Sequence, residues 1–83
     1  MVKVTRVEPL GKYRLRLTFS DGLVGDVDLA AALWGEMFEP LRDPAQFNRV
    51  CVHPDLGTLT WPNGADLDPE GLHDTVRPVE RAS

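Results

Sequence analysis

The chain has 83 residues, 42% of them hydrophobic, and its 13 acidic and 9 basic residues give a formal net charge of −4 at pH 7. This length indicates one domain with a small core, and no stretch approaches the roughly 18 apolar residues of a membrane span. The acidic balance disfavours nucleic-acid binding by this chain alone, because that binding depends on lysine and arginine meeting phosphates. With a single cysteine and no pattern of a signal peptide, we expect a cytoplasmic protein.

The first third of the chain predicts an N-terminal strand followed by a β-hairpin. Val2 and Val4 begin a short strand, which Pro9 breaks because proline cannot donate to a strand ladder. Apolar residues then alternate with charged ones over residues 12–19, a pattern typical of a half-buried strand. The turn sequence Ser-Asp-Gly follows, and a second alternating run over residues 23–29 completes the hairpin.

Two short helices are predicted in the middle of the chain. Asp28 stands before the apolar run of residues 29–34, where its side chain can accept from the free N–H groups of a helix start. Asp43 precedes Pro44 in the same way, and proline is favoured at the first helical position. Both helices are expected to be brief.

The last part of the chain predicts a second hairpin, a helix and a tail. Two β-prone runs, over residues 49–52 and 58–61, flank a loop. Asp68 followed by Pro69 predicts the start of the final short helix. Residues 74–83 contain few apolar side chains and are predicted to form a flexible C-terminal tail.

These elements define an α+β fold in a single domain of residues 1–73. We expect one small antiparallel sheet of about five short strands, made of two hairpins plus the N-terminal strand, with two to three short helices packed on one face. The apolar positions of these elements predict the core, which comprises Val4, Leu15, Leu17, Phe19, Val27, Leu29, Leu33, Phe38, Leu41, Phe47, Val50, Val52, Leu59 and Trp61.

Charge is distributed unevenly along the N-terminal half. Residues 1–16 contain five basic residues and one acid, whereas residues 17–41 contain five acids and no base. One interpretation is that these charges form cross-strand ion pairs on the solvated face of the hairpin. The other is a basic strip that recognises an acidic partner, and its binding would weaken steeply with ionic strength.

The sequence offers no complete set of catalytic or metal-binding residues. Cys51 and His53 would share one face of a strand, but a zinc site needs further ligands, and His73 stands beyond a loop and a turn. A reactive thiol needs a base and an orienting residue, so we interpret Cys51 as a small buried residue. We therefore expect neither enzymatic activity nor a bound metal or cofactor.

An apolar segment over residues 33–41 is the leading candidate for a binding surface. It contains Trp34, Met37 and Phe38, and a chain this small cannot easily bury every large side chain of the segment. Tryptophan, methionine and phenylalanine are enriched at protein interfaces. We hypothesise that these three residues form a partner-binding patch; the alternative is that they belong to the ordinary core.

A second candidate is a small-ligand pocket near Trp61, Asn63 and Asp66. Asn63 and the glycine after it supply a tight turn. Asp66 has no obvious local role, whereas Asp68 is explained by helix capping. This interpretation requires the side chain of Trp61 to line a cleft.

Several motifs in this chain occur together and in order: FSDG, DL, FEPLRDPAQF and GTLTWPNGADLDPE, at residues 19–22, 28–29, 38–47 and 57–70. In this respect the chain resembles a bacterial family known as domain of unknown function 2442. The resemblance implies a compact α+β domain with an antiparallel sheet and short helices, and the family offers no established catalytic residues to transfer to this chain. Some members carry an added helix-turn-helix domain, and others are encoded beside a second small protein in a pairing similar to toxin–antitoxin modules.

These observations together predict a non-catalytic interaction module. We expect it to bind a protein partner or to form a homo-oligomer, as an adaptor or antitoxin-like member of a two-protein system. The alternative is a small-ligand-binding or enzymatic domain. A DNA-associated regulator is less favoured, because the charge is acidic and this chain lacks the added domain.

Overall fold

A computed structural model describes residues 1–79 of the chain as an α+β domain with two antiparallel sheets. Four strands form the larger sheet in the order β1-β2-β3-β7, with β1 at Val4–Gly11, β2 at Arg14–Phe19, β3 at Val24–Asp28 and β7 at Arg77–Pro78. The smaller sheet has the order β4-β5-β6, with β4 at Cys51–Val52, β5 at Leu59–Thr60 and β6 at Asp66–Leu67. The helices are two 3₁₀ turns, Ala30–Ala32 and Glu39–Arg42, and the α-helices α1, Pro44–Phe47, and α2, Pro69–Thr75.

The α+β class and the antiparallel pairing are as predicted, but the expected arrangement of one sheet with about five strands is wrong. The two sheets are separate, and β6 and β7 are additional strands of two residues each. Strands this short carry no detectable period-two pattern, so alternation cannot reveal them. They exist because tertiary packing brings them beside a partner strand.

Strand β1 also differs from its prediction, because it runs through Pro9 instead of ending before it. The strand lies at the edge of the larger sheet and pairs with β2 alone in the strand order. An edge strand tolerates proline, since the missing N–H can fall on the side without a partner strand. The turn to β2 uses left-handed backbone at Gly11, Lys12 and Tyr13.

The core lies against the inner face of the larger sheet. Leu15, Leu17 and Phe19 alternate along β2 and are all buried. Leu59 and Trp61 reach the same cluster from the region of β5. Three predicted core residues, Phe38, Val50 and Val52, are only partly buried, and the core also includes Ala65, Leu72 and Val76.

Aspartate side chains begin the short helices, as the sequence predicts. Oδ1 of Asp43 accepts from the backbone N–H of Ala45 at the start of α1, and Asp68 accepts from Gly71 at the start of α2. Asp28 likewise accepts from Ala30, but only a 3₁₀ turn of three residues follows. The apolar run after Asp28 is too short for a longer helix. Forming the first helical turn is unfavourable, and a short run has too few further residues to compensate for that cost.

The C-terminal part of the domain extends further than the boundary predicted at residue 73. Helix α2 continues to Thr75, Val76 is buried, and the backbone N–H of Val79 donates to the carbonyl of Val24 at 2.9 Å. Residues 74–79 therefore pack on the domain. The rest of the predicted tail, residues 80–83, lies outside the described residues. Within residues 1–79, no helix has the length and apolar character needed to cross a membrane.

Candidate functional site

An exposed loop of residues 33–38, here called the Trp34 loop, carries the three residues of the predicted partner patch. Leu33 is buried and begins the loop, but 71% of Trp34 and 44% of Met37 are exposed. Phe38 is half-buried. The loop turns at Gly35, whose φ of +88° favours glycine, and the carbonyl of Gly35 accepts from the N–H of Glu39 at 2.9 Å.

Side chains from two other parts of the chain hold the Trp34 loop in place. Nδ2 of Asn63 donates to the carbonyl of Met37 at 2.8 Å, and Nε of Arg42 donates to the carbonyl of Leu33 at 2.7 Å. Oδ1 of Asn63 accepts from the N–H of Ala65 at 3.0 Å, so this amide bridges its own turn and the loop. The backbone on both sides of Trp34 is therefore fixed by hydrogen bonds.

Phe38 connects the loop to the core through aromatic contacts. Its ring meets that of Trp61 edge to face, with centroids 6.2 Å apart and an interplanar angle of 80°. The rings of Trp61 and Phe47 have centroids 6.1 Å apart, and the indole Nε1 of Trp61 donates to the carbonyl of Phe47 at 2.9 Å. This geometry is favourable for aromatic pairs, so Phe38 anchors the loop while Trp34 points to solvent.

The three residues of the predicted pocket have separate positions and tasks. Trp61 is only 3% exposed and serves as core, and the side-chain amide of Asn63 is engaged at both its oxygen and its nitrogen. Asp66 is exposed on β6, opposite Thr60 of β5. Trp61 lines neither the cavity beside β3 nor the smaller one beside Arg6 and Glu8.

The outer face of the larger sheet carries a row of alternating charges. Glu8, Arg16, Asp26 and Arg77 are successive partners across its four strands. The guanidinium of Arg16 meets the carboxylate of Asp26 with an Nε–Oδ1 distance of 2.8 Å and an Nη2–Oδ2 distance of 3.1 Å. These contacts confirm the interpretation as cross-strand ion pairs at this position, and the hydrogen bond from Arg16 lowers the pKa of Asp26.

A side-chain hydrogen bond joins helix α2 to the turn between β2 and β3. Nε2 of His73 lies 2.8 Å from Oδ2 of Asp21, and the imidazole ring packs edge to face on Phe19 with centroids 4.9 Å apart. The backbone N–H of Leu23 donates to Oδ1 of Asp21 at 3.0 Å. Two hydrogen bonds lower the pKa of Asp21. The larger effect comes from the N–H of Leu23 and the smaller from His73.

Cys51 and the two histidines do not converge. Cys51 is exposed, which corrects the expectation that it is buried, and its Sγ lies 3.3 Å from Oγ1 of Thr60. Nδ1 of His53 accepts from the backbone N–H groups of Asp55 and Leu56. Across residues 1–79, no three His, Cys, Asp or Glu side chains are placed to share a metal ion.

The larger cavity, of about 910 Å³, lies beside β3 and has no counterpart in the sequence predictions. It is lined by residues of β2, β3, the first 3₁₀ turn, β6, α2 and β7, which are Arg14, Arg16, Asp26, Val27, Asp28, Leu29, Ala32, Leu67, Leu72, Thr75, Arg77, Pro78 and Val79. Alternating arginines in β2 are the one signal that sequence offers. The cavity wall depends on α2 and β7, whose positions alternation does not reveal.

Comparison with known proteins places the chain in a family without assigning it an activity. The model of a family described as protein of unknown function DUF2442 matches residues 4–78, so the chain belongs to that family. The motifs that suggested the resemblance form the turn between β2 and β3, the end of β3, the second 3₁₀ turn with α1, and the segment from β5 to the start of α2. Searches among curated proteins and among solved structures found no match to this chain.

Proposed function

We propose that this protein is a non-catalytic interaction module that binds another protein through Trp34, Met37 and Phe38. The observation that carries the proposal is the 71% exposure of Trp34 on a loop whose backbone is fixed. Large exposed aromatic side chains in pockets or patches account for much of the binding energy at protein interfaces. Met37 beside it adds a flexible apolar surface that can adapt to a partner.

The fixed backbone supports binding because it lowers the entropy lost on association. Asn63 and Arg42 hold the two ends of the loop through hydrogen bonds to Met37 and Leu33, and Phe38 rests on Trp61. These bonds constrain the backbone on both sides of Trp34. Asn63 and Trp61 of the candidate pocket thus support the proposed interface.

The charges around the patch indicate the kind of partner surface that would fit it. Glu36 and Glu39 are exposed beside Trp34, and residues 33–41 contain no basic residue. A complementary surface has an apolar pocket for the indole and basic residues at its rim. Such a partner agrees with an adaptor or antitoxin-like role in a two-protein system.

The experiment is affinity purification of the tagged protein from its source cells at native expression, followed by mass spectrometry and light scattering. Trp34→Ala is compared with Leu56→Ala, since Leu56 is also a large exposed side chain, at 61%, outside the loop. We expect one stoichiometric protein with the wild type and with Leu56→Ala, and its loss with Trp34→Ala. A clean monomer from every sample, or a partner retained by Trp34→Ala, would overturn the proposal.

A further inference from the structure

The cavity beside β3 lies where the larger sheet is incomplete. Strand β7 pairs only with Gly25 and Asp26, so the second half of β3 has no strand beyond it among the described residues. Ala32 and the two residues Leu72 and Thr75 of α2 enclose this gap. The resulting cavity is open to solvent and has a volume of about 910 Å³, which is within the size range of small-molecule sites.

The floor of the cavity is apolar. Val27 of β3, Leu29 just after that strand and Leu72 of α2 all line it and are buried residues of the core. Leu67 of β6 adds a half-buried side chain. An apolar body placed here would remove hydrocarbon surface from water, which contributes roughly 25 cal/mol per Å².

The rim of the cavity is basic. Arg14, Arg16 and Arg77 line it, and Arg16 is occupied by its ion pair with Asp26. In the part of the chain that the structure describes, neither Arg14 nor Arg77 takes part in a salt bridge. The other acid of the rim, Asp28, uses Oδ1 to accept from the N–H of Ala30 at 2.9 Å.

We propose that this cavity binds a small organic anion with an apolar body. The acidic group lies at Arg14 and Arg77, because guanidinium groups match carboxylates and phosphates in both charge and geometry. The hydrocarbon or aromatic body lies on Val27, Leu29 and Leu72. Arg14 stands opposite Asp28 and Arg77 opposite Asp26 in the strand register, but within residues 1–79 neither arginine forms a salt bridge. Three arginines and two aspartates line the cavity, so its lining carries a net positive charge in a chain of net charge −4.

The site is independent of the Trp34 loop. None of the residues that line the cavity belongs to residues 33–38, and the cavity occupies the β3 side of the larger sheet. Loss of the protein partner in Trp34→Ala therefore leaves ligand binding unchanged. A failure of the proposed partner binding at the Trp34 loop can therefore be told apart from a failure of the proposed anion binding in the cavity.

The test is a titration of the full-length, ¹⁵N-labelled protein with octanoate, followed by amide chemical shifts. We expect saturable shifts confined to residues 14–16, 26–32, 67 and 72–79, with octan-1-ol binding more weakly and octylammonium not binding. Arg77→Gln and Arg14→Gln are each expected to weaken octanoate binding about tenfold, the loss of roughly one charge-assisted contact. Arg6→Gln is the matched control, because Arg6 is exposed, lies on the same sheet and does not line this cavity.

Either of two results would overturn the proposal. The first is no saturable shift up to about 10 mM octanoate, a concentration that detects even millimolar affinity. The second is equal affinity in the wild type, Arg77→Gln and Arg14→Gln. Both arginines are exposed, and the amide spectrum of each variant reports directly whether it is folded.

Discussion

The side-chain amide of Asn63 donates to the backbone carbonyl of Met37 at 2.8 Å, across 26 residues of sequence. The turn that contains Asn63 is readable from the sequence, but its bond to the Trp34 loop is a tertiary relationship. The same turn brings Gly64 beneath Met37, so that a Cβ built on Gly64 would lie 3.4 Å from the terminal methyl of Met37. The WPNG turn therefore supports the exposed loop.

We predict that Asn63→Asp loosens the Trp34 loop while leaving the turn intact. An aspartate oxygen can still accept from Ala65, but it cannot donate to the carbonyl of Met37. The expected loss of stability is about 1 kcal/mol, the usual net value of a hydrogen bond. Urea denaturation measures this loss, and amide exchange over residues 33–39 measures the loosening.

Asp66→Asn is the matched control for that variant, since Asp66 is exposed on the neighbouring strand β6. Asp66→Asn replaces a carboxylate by an amide, which is the reverse of the change in Asn63→Asp, and it does so in the same region. Equal exchange rates in the loop of wild type and Asn63→Asp would show that Asn63 does not hold it.

Stability is predicted to depend on pH through Asp21. The bonds from Leu23 and His73 lower its folded pKa below the ordinary value of 3.8. A carboxyl group with a lowered folded pKa contributes stability above its unfolded pKa, and this contribution is lost as pH falls through the folded value. The difference in unfolding free energy between wild type and Asp21→Asn should therefore be fully present above the ordinary carboxyl pKa of 3.8 and shrink as pH falls below it.

Denaturant titrations of both proteins at a series of pH values measure this difference. Asp26→Asn should behave in the same direction, because Arg16 lowers the pKa of Asp26. A gap between wild type and Asp21→Asn that is constant with pH would contradict the role assigned to the carboxylate.

Gly57 and Gly22 provide a matched pair of glycine substitutions. Both have left-handed backbone, with φ of +67° and +93°, so alanine costs about 1 to 2 kcal/mol of unfolding free energy at either position. A Cβ at Gly22 would meet nothing within 4 Å, whereas one at Gly57 would lie 2.3 Å from Cβ of Lys3. We predict that Gly57→Ala is clearly more destabilising, because it also displaces the start of β1.

The backbone contact behind this prediction is a 2.9 Å hydrogen bond from the N–H of Val4 to the carbonyl of Gly57. Thermal unfolding of both variants measures the difference in stability. Equal melting temperatures for Gly57→Ala and Gly22→Ala would contradict the close approach of Lys3 to this loop.

The predictable part of the fold depends on local signals. Alternation over residues 12–19 and 23–29 identifies the central hairpin, and Asp43 and Asp68 identify helix starts because capping is a local interaction. The predicted core of β2 follows from the same alternation and is confirmed by the burial of Leu15, Leu17 and Phe19.

The parts that sequence missed depend on contacts between distant segments. Val76 is buried because α2 and β7 close on β3, and the polar sequence around it gives no sign of this. Cys51 is exposed while its neighbour Val52 is partly buried, since the two side chains point to opposite faces of β4. The cavity beside β3 was missed for the same reason, because its walls come from six elements spread along the chain.

The central claim, that the Trp34 loop is where a partner binds, is tested most directly by hydroxyl-radical footprinting of the captured complex. Met1 and Leu56 are exposed internal controls for Met37 and Trp34. We predict that oxidation of Trp34 and Met37 falls several-fold in the complex, while oxidation of Met1 and Leu56 is unchanged. Undiminished oxidation of Trp34 and Met37 with the partner bound would contradict the claim and place the interface elsewhere.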